Sequence, residues 1–323
     1  MTEIPAHPAY ERLRQVLPHA AMLLANNPGA YELDGTNTWL LRDDPSRREA
    51  IVIDPGPEDW DHSRRIVEEA GRVVSIVITH RHGDHTEGVK KLVELTGAPV
   101  FALDPAHRLG TEGLVEGSMI SGAGVAVSVM LTPGHSSDST SLVLGEPGAP
   151  EAVLTGDMVL GRGTTVIGYP DGELETYLES MERLRGLGAL PVLPGHGPEL
   201  TSIQDIAAYY LTHRRERLDQ VRQARARLGL DKTARQIVEV VYTDVPESVK
   251  GAATSSTKAQ LAYLDIQDGR VPQSGRLAYA SEEEVAKEEA ERAAAKAKSD
   301  ARMAEKRAQW AANEAAAAQQ PSH

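Results

Sequence analysis

The stretch Ile78-Thr79-His80-Arg81-His82-Gly83-Asp84-His85 places three imidazoles and one carboxylate between positions 80 and 85. His80 and His82 stand two apart in an extended segment, so their rings can converge from one side. Asp84 and His85 follow at once and can aim at a neighbouring point. The stretch therefore offers two half-built metal sites. Imidazole and carboxylate ligands suit zinc, and also manganese, iron or cobalt. Completing either site requires ligands from elsewhere. His135 in LTPGHSSDS, Asp157 in VLTGDMVLG and His196 in VLPGHGPEL are the candidates, each following an apolar run beside a glycine that lets the chain turn tightly. A lone histidine in a Gly/Pro loop is usually a surface residue. Four such elements in one chain make a cluster the better explanation.

Such residues need strands to aim them. Apolar runs bounded by turn residues predict strands at Thr38–Leu41, Glu49–Ile53, Val73–Thr79, Pro99–Ala102, Val125–Leu131, Thr140–Leu144, Ala152–Thr155 and Leu190–Leu193. Helices are predicted to begin near Asp59, Thr86 and Glu173. Many strands with few helices indicate a sheet-rich, layered α/β domain over residues 1–202. Beyond it the composition changes. A long helical pattern ends at Gly229, two shorter ones follow, and Gly269 offers a turn, the outline of a small winged-helix-like, α-rich module over 203–280. From Ser281 to residue 323 the chain is rich in Ala, Glu, Lys and Arg, with high helix propensity but no sustained apolar seam. That segment is expected to be a solvated helix or a disordered tail.

The chain has 323 residues, a net charge of −13 and no cysteine, so disulfides and thiolate ligands are excluded. No apolar run is long enough to span a membrane, and the first residues lack a basic region followed by an apolar stretch. A cytoplasmic protein without membrane association is expected. The acidity argues against a broad nucleic-acid surface but leaves room for a local basic groove.

The pattern His-x-His-x-Asp-His followed by a later His, Asp and His resembles the metallo-β-lactamase superfamily over residues 20–200. The resemblance implies an α/β fold, an αββα sandwich, with two metal ions, zinc above all and manganese or iron(II) as alternatives. It implies that His80, His82 and His135 hold one metal, that Asp84, His85 and His196 hold the other, and that Asp157 bridges them. Asp54 in IVIDPGP matches a carboxylate behind the ligands that would orient a histidine; it reads equally well as a turn residue before Pro55-Gly56. Asp84 and Asp157 would also be catalytic, Asp84 accepting a hydrogen bond from the attacking nucleophile. Bound metals would bring the pKa of water from about 15.7 to about 7 and stabilise the charge of the transition state. Hydrolysis follows from such a set; the substrate does not.

A bridging aspartate is similar to the phosphodiesterase, glyoxalase and lactonase branches, and makes β-lactamase activity weak at most. NNPGAYELDGTNTWLL (26–41), GDMVLGRGTTVI (156–167), PGHGP (194–198) and HRRER (213–217) together resemble the LACTB2-like branch, which implies an endoribonuclease of single-stranded RNA. Arg214, Arg215 and Arg222 on the long helix could then grip phosphates, or be no more than a solvated face. Trp39, Tyr31 and Tyr169 are the aromatics that could stack bases. The alternative is a small-molecule ester or thioester hydrolase using the same metals. His7, His19, His62, His107 and His323 fall in no pattern and read as surface residues.

Overall fold

The computed structural model describes residues 10–243 and 245–270. Six strands form one sheet in chain order: β1 (Arg14–Leu17), β2 (Ala20–Leu24), β3 (Asn37–Leu41), β4 (Glu49–Ile53), β5 (Arg72–Val77) and β6 (Val100–Phe101). A second sheet of five holds β7 (Met119–Gly122), β8 (Val125–Leu131), β9 (Thr140–Glu146), β10 (Ala149–Gly156) and β11 (Val192–Pro194), in the order 11-10-9-8-7. Strands β1, β2 and β7 were not anticipated. Ala20-Ala21-Met22-Leu23-Leu24 carries helix-favouring residues, and its strand form comes from pairing with β3 from Ala20↔Leu41 to Leu24↔Asn37.

The strand pleat sorts side chains to two cores. Met22, Trp39, Ile51, Ile53 and Val77 meet Val127, Leu142 and Leu154 of the second sheet. Their neighbours Leu23, Leu40, Val52 and Ile76 point the other way, onto Ile66 of α1 (Trp60–Ala70) and Leu92 of a later helix. Strands buried on both faces read as unbroken apolar runs, as β2 does throughout and β4 does from Ala50 to Ile53. Asp59 caps α1 by accepting from the backbone of Asp61 and His62. After β5 comes the short α2 (Gly83–Thr86), then α3 (Val89–Thr96).

On the outer side of the second sheet lie α4 (Leu174–Arg185), α5 (Ile203–Leu228), α6 (Ala234–Val241) and α7 (Lys250–Gln267). One apolar cluster runs from Val153 through Tyr177, Met181 and Tyr210 to Ile237, Ala259 and Leu264. The four helices thus share a core with the sheet, and Ser202, at the expected domain boundary, is the N-cap of α5. The layers are α/ββ/α, as the sequence led us to expect, and the C-terminal module is helical over its described part. The expected tail, 281–323, lies outside the described residues, as do His7 and His323.

Candidate metal centre

The ends of the strands converge on one edge of the sandwich. Asp54 follows β4 in a left-handed backbone conformation (φ 50°). Three residues past β5, His80 begins the turn into α2, with His82 as its N-cap and Asp84 and His85 within it. His135 sits between β8 and β9, Asp157 follows β10, and His196 follows β11. All seven residues are drawn together in two groups, His80, His82, His135 and Asp157 in one and Asp84, His85 and His196 in the other.

In the first group His82 Nδ1 lies 3.0 Å from both His80 Nε2 and His135 Nε2. In the second, His85 Nε2 is 3.2 Å from His196 Nε2, and Asp84 Oδ2 is 3.0 Å from His196 Nε2 and 3.3 Å from His85 Nε2. Asp157 spans them. Its Oδ2 is 3.7 Å from His135 Nε2, and its Oδ1 is 3.4 Å from the Nε2 of both His85 and His196.

The opposite ring nitrogens settle the tautomers. His135 Nδ1 donates to the Val166 carbonyl (2.7 Å), His196 Nδ1 to the Gly35 carbonyl (3.0 Å) and His85 Nδ1 to Asp54 Oδ2 (2.9 Å). Thr79 Oγ1 donates to Asp54 Oδ2 (2.7 Å), so it accepts from His80 Nδ1 at 3.1 Å. In the neutral rings each Nε2 therefore turns a bare lone pair inward. Four such lone pairs and a buried, hydrogen-bond-free Asp157 Oδ1 face a common space. In the neutral rings the Nε2 lone pairs of His85 and His196, 3.2 Å apart, repel unless a cation lies between them or a proton sits on one of them.

The two groups differ in their electrostatics. Burial pushes His80 well below the usual imidazole range and brings His135 down to about 4, so both rings stay neutral. Burial opposes charge at His196 too, but Asp157 and Asp84 outweigh it and raise the ring to about 10. Asp157 is held well below the carboxylate range, since His196 and His85 overcome its burial. The second group thus attracts positive charge while the first offers neutral donors. This donor set fits divalent metal ions.

Behind the ligands stand Asp54, which the resemblance placed there to orient a histidine, and further residues whose roles the sequence did not disclose. Asp54 also accepts from the Thr79 backbone (2.8 Å), so it fixes Thr79, His80 and His85 together. Asn37 donates to the carbonyls of Pro194 and Gly197 (3.0 and 2.8 Å), steadying the loop of His196. Trp39 is buried and donates through Nε1 to Pro194 (3.1 Å), so it braces that loop and cannot stack a base. His62, read as a surface residue, is fully buried: its rings' nitrogens lie 2.9 Å from Thr38 Oγ1 and 2.8 Å from Glu11 Oε2. Thr38 in turn donates to the Asp54 carbonyl (2.6 Å), so His62 supports the Asp54 turn from behind.

The basic stripe of α5 is not one surface. Arg214 is 3 % exposed, lies over the Tyr177 ring and donates to the Thr165 carbonyl. It is one step around the helix from Arg215 and faces α4, which removes it from the possible RNA contacts. Arg215 and Arg222 remain on the surface, paired with Glu182 and Asp219.

Fold and site together define a metal-dependent hydrolase. Residues 31–196 match the model of the metallo-beta-lactamase superfamily, and residues 233–279 that of the beta-lactamase associated winged helix domain, whose last nine positions lie outside the described residues. An atrochrysone carboxyl ACP thioesterase of Aspergillus chevalieri is 33 % identical over 76 % of this chain and 80 % of its own. A beta-lactamase-like protein 2 homolog of Caenorhabditis elegans is 27 % identical over 83 % and 91 %. In fold, a beta-lactamase domain protein from Burkholderia ambifaria aligns with a TM-score of 0.67 at 21 % identity, over 82 % of this chain and 91 % of that one. The chain belongs to the metallo-β-lactamase superfamily, and it resembles the LACTB2-like branch through the beta-lactamase-like protein 2 homologs. Among the described residues no helix is long and apolar enough to cross a membrane.

Proposed function

We propose that this chain is a dinuclear zinc hydrolase that cleaves an ester or thioester of a small or carrier-borne acyl group. His80, His82 and His135 would hold one ion, Asp84, His85 and His196 the other, and Asp157 both. When bound, the ions would supply a low-pKa water and a positive field for the oxyanion. Asp84, 23 % exposed at its side chain, is a ligand that can be reached from solvent to orient an incoming nucleophile.

The observation that carries the substrate class is the charge of the surrounding loops. Residues 26–36, 54–59, 78–88, 102–118, 132–139, 157–173 and 194–202 contain only three arginines and no lysine: Arg81, Arg108 and Arg162. Arg81 is ringed by Asp104, Asp138 and Asp171 at 3.2–3.4 Å, and Arg162 is paired with Asp34. Glu32 adds a carboxylate whose pKa is raised by burial and by the charge of nearby Asp84. A polyanion gains little from loops so neutralised, because phosphate neutralisation dominates nucleic-acid affinity. The thioesterase-named relative supports the same reading. Single-stranded RNA, expected from the sequence, is the competing substrate.

One zinc-loaded preparation decides between them. Elemental analysis should give two zinc ions per chain. An acyl N-acetylcysteamine thioester should then be hydrolysed far faster than a single-stranded RNA oligonucleotide. RNA cleavage without thioester turnover would overturn the proposal in favour of a ribonuclease.

A further inference from the structure

We infer that the C-terminal helices set the geometry of one of the two ligand groups, with Arg214, Ser255 and Ser256 acting as positioning residues for His135. The inference rests on the proposed metal reading of the site. His135 is aimed by the Val166 carbonyl at 2.7 Å, and Thr165 Oγ1 stands 3.2 Å from the same ring nitrogen. The loop that carries Thr165 and Val166 belongs to no helix or strand, so something must hold it.

The C-terminal helices do so on both sides of Val166. Arg214 of α5, buried against Tyr177, donates to the Thr165 carbonyl. From α7, Ser256 Oγ accepts from the Ile167 backbone N–H (3.1 Å), while Ser255 Oγ donates to the Ile167 carbonyl (3.1 Å). Gly168 N–H then closes the circuit by donating to the His135 carbonyl (3.0 Å). The peptide that orients the imidazole is thus clamped by hydrogen bonds one residue before it and one after.

The second group has no such dependence. His85 is oriented by Asp54 and His196 by the Gly35 carbonyl, both on the side of the first sheet. Loosening the clamp should therefore affect the ions unequally, and loss of a ligand's orienting partner typically weakens metal binding about 10- to 100-fold.

The test uses the full chain loaded with zinc and dialysed against graded chelator, with zinc per chain and helical circular dichroism as readouts. In Ser255→Ala/Ser256→Ala one of the two ions should leave at about 10- to 100-fold lower chelator strength while the other is retained. Arg214→Lys, which keeps the charge but not the reach of the guanidinium, should shift the same ion. In a His135→Ala background the serine substitutions should change nothing further. Release of both ions as in the unsubstituted chain, or equal weakening of both, would overturn the inference. An unsubstituted chain that never holds two ions would instead refute the metal reading.

Discussion

His85 Nδ1 donates to Asp54 Oδ2 across 2.9 Å, joining the short helix α2 to the residue that follows β4. Asp54 is 2 % exposed, and its two oxygens also take the backbone and hydroxyl hydrogens of Thr79. One buried carboxylate therefore fixes the path of the chain into His80 and the tautomer of His85. Its left-handed φ would be met as well by asparagine. Asp54→Asn should keep the turn but lose the charge, and metal affinity should fall about 10- to 100-fold in a competition titration against a chromophoric chelator. Unchanged affinity would reduce Asp54 to a turn former.

Asp157 is the residue that faces both groups. Replacing it with alanine should abolish hydrolysis and lower the metal count, with little loss of fold, because the side chain lies at a loop end rather than in an apolar core. Turnover near that of the unsubstituted chain, in a variant still holding two ions, would sink the bridging role.

Gly195 offers a test by volume alone. A Cβ there would stand 2.7 Å from Asp157 Oδ1 and 2.8 Å from His85 Cε1, closer than side chains approach. Gly195→Ala should therefore displace ligands from both groups. We expect fewer than two ions per chain and loss of activity, with an unchanged far-ultraviolet spectrum. Full metal content would mean that the loop yields freely.

The arginines of α5 should separate by burial. Arg214→Ala removes a charge-assisted hydrogen bond and a cation–π contact and should cost about 2–4 kcal/mol in urea unfolding. Arg215→Ala and Arg222→Ala remove exposed ion pairs and should leave stability nearly unchanged. If RNA is nevertheless bound, the double variant Arg215→Ala/Arg222→Ala should weaken binding and flatten its salt dependence. No change in either would show that this face is only solvated.

Much of this protein could be read from local sequence, because local chemistry governs it. Strands buried on both faces appear as apolar runs, glycines mark the turns beyond them, and Asp59, Ser202 and Gly229 delimit helices through capping. The seven polar residues stood out because each follows such a run. Their convergence into two groups, and the tautomers that turn the lone pairs inward, were decided by tertiary structure. The partners Val166, Gly35 and Asp54 lie 31, 161 and 31 residues from the histidines they orient. The faces of α5 were likewise undecidable from periodicity, since that helix packs against α4, α6 and α7 and buries Arg214 and Arg225 along with its apolar residues. A helix packed on several sides carries no single apolar stripe, so whether an arginine meets solvent or a buried carbonyl depends on its neighbours in space, which only the assembled fold provides.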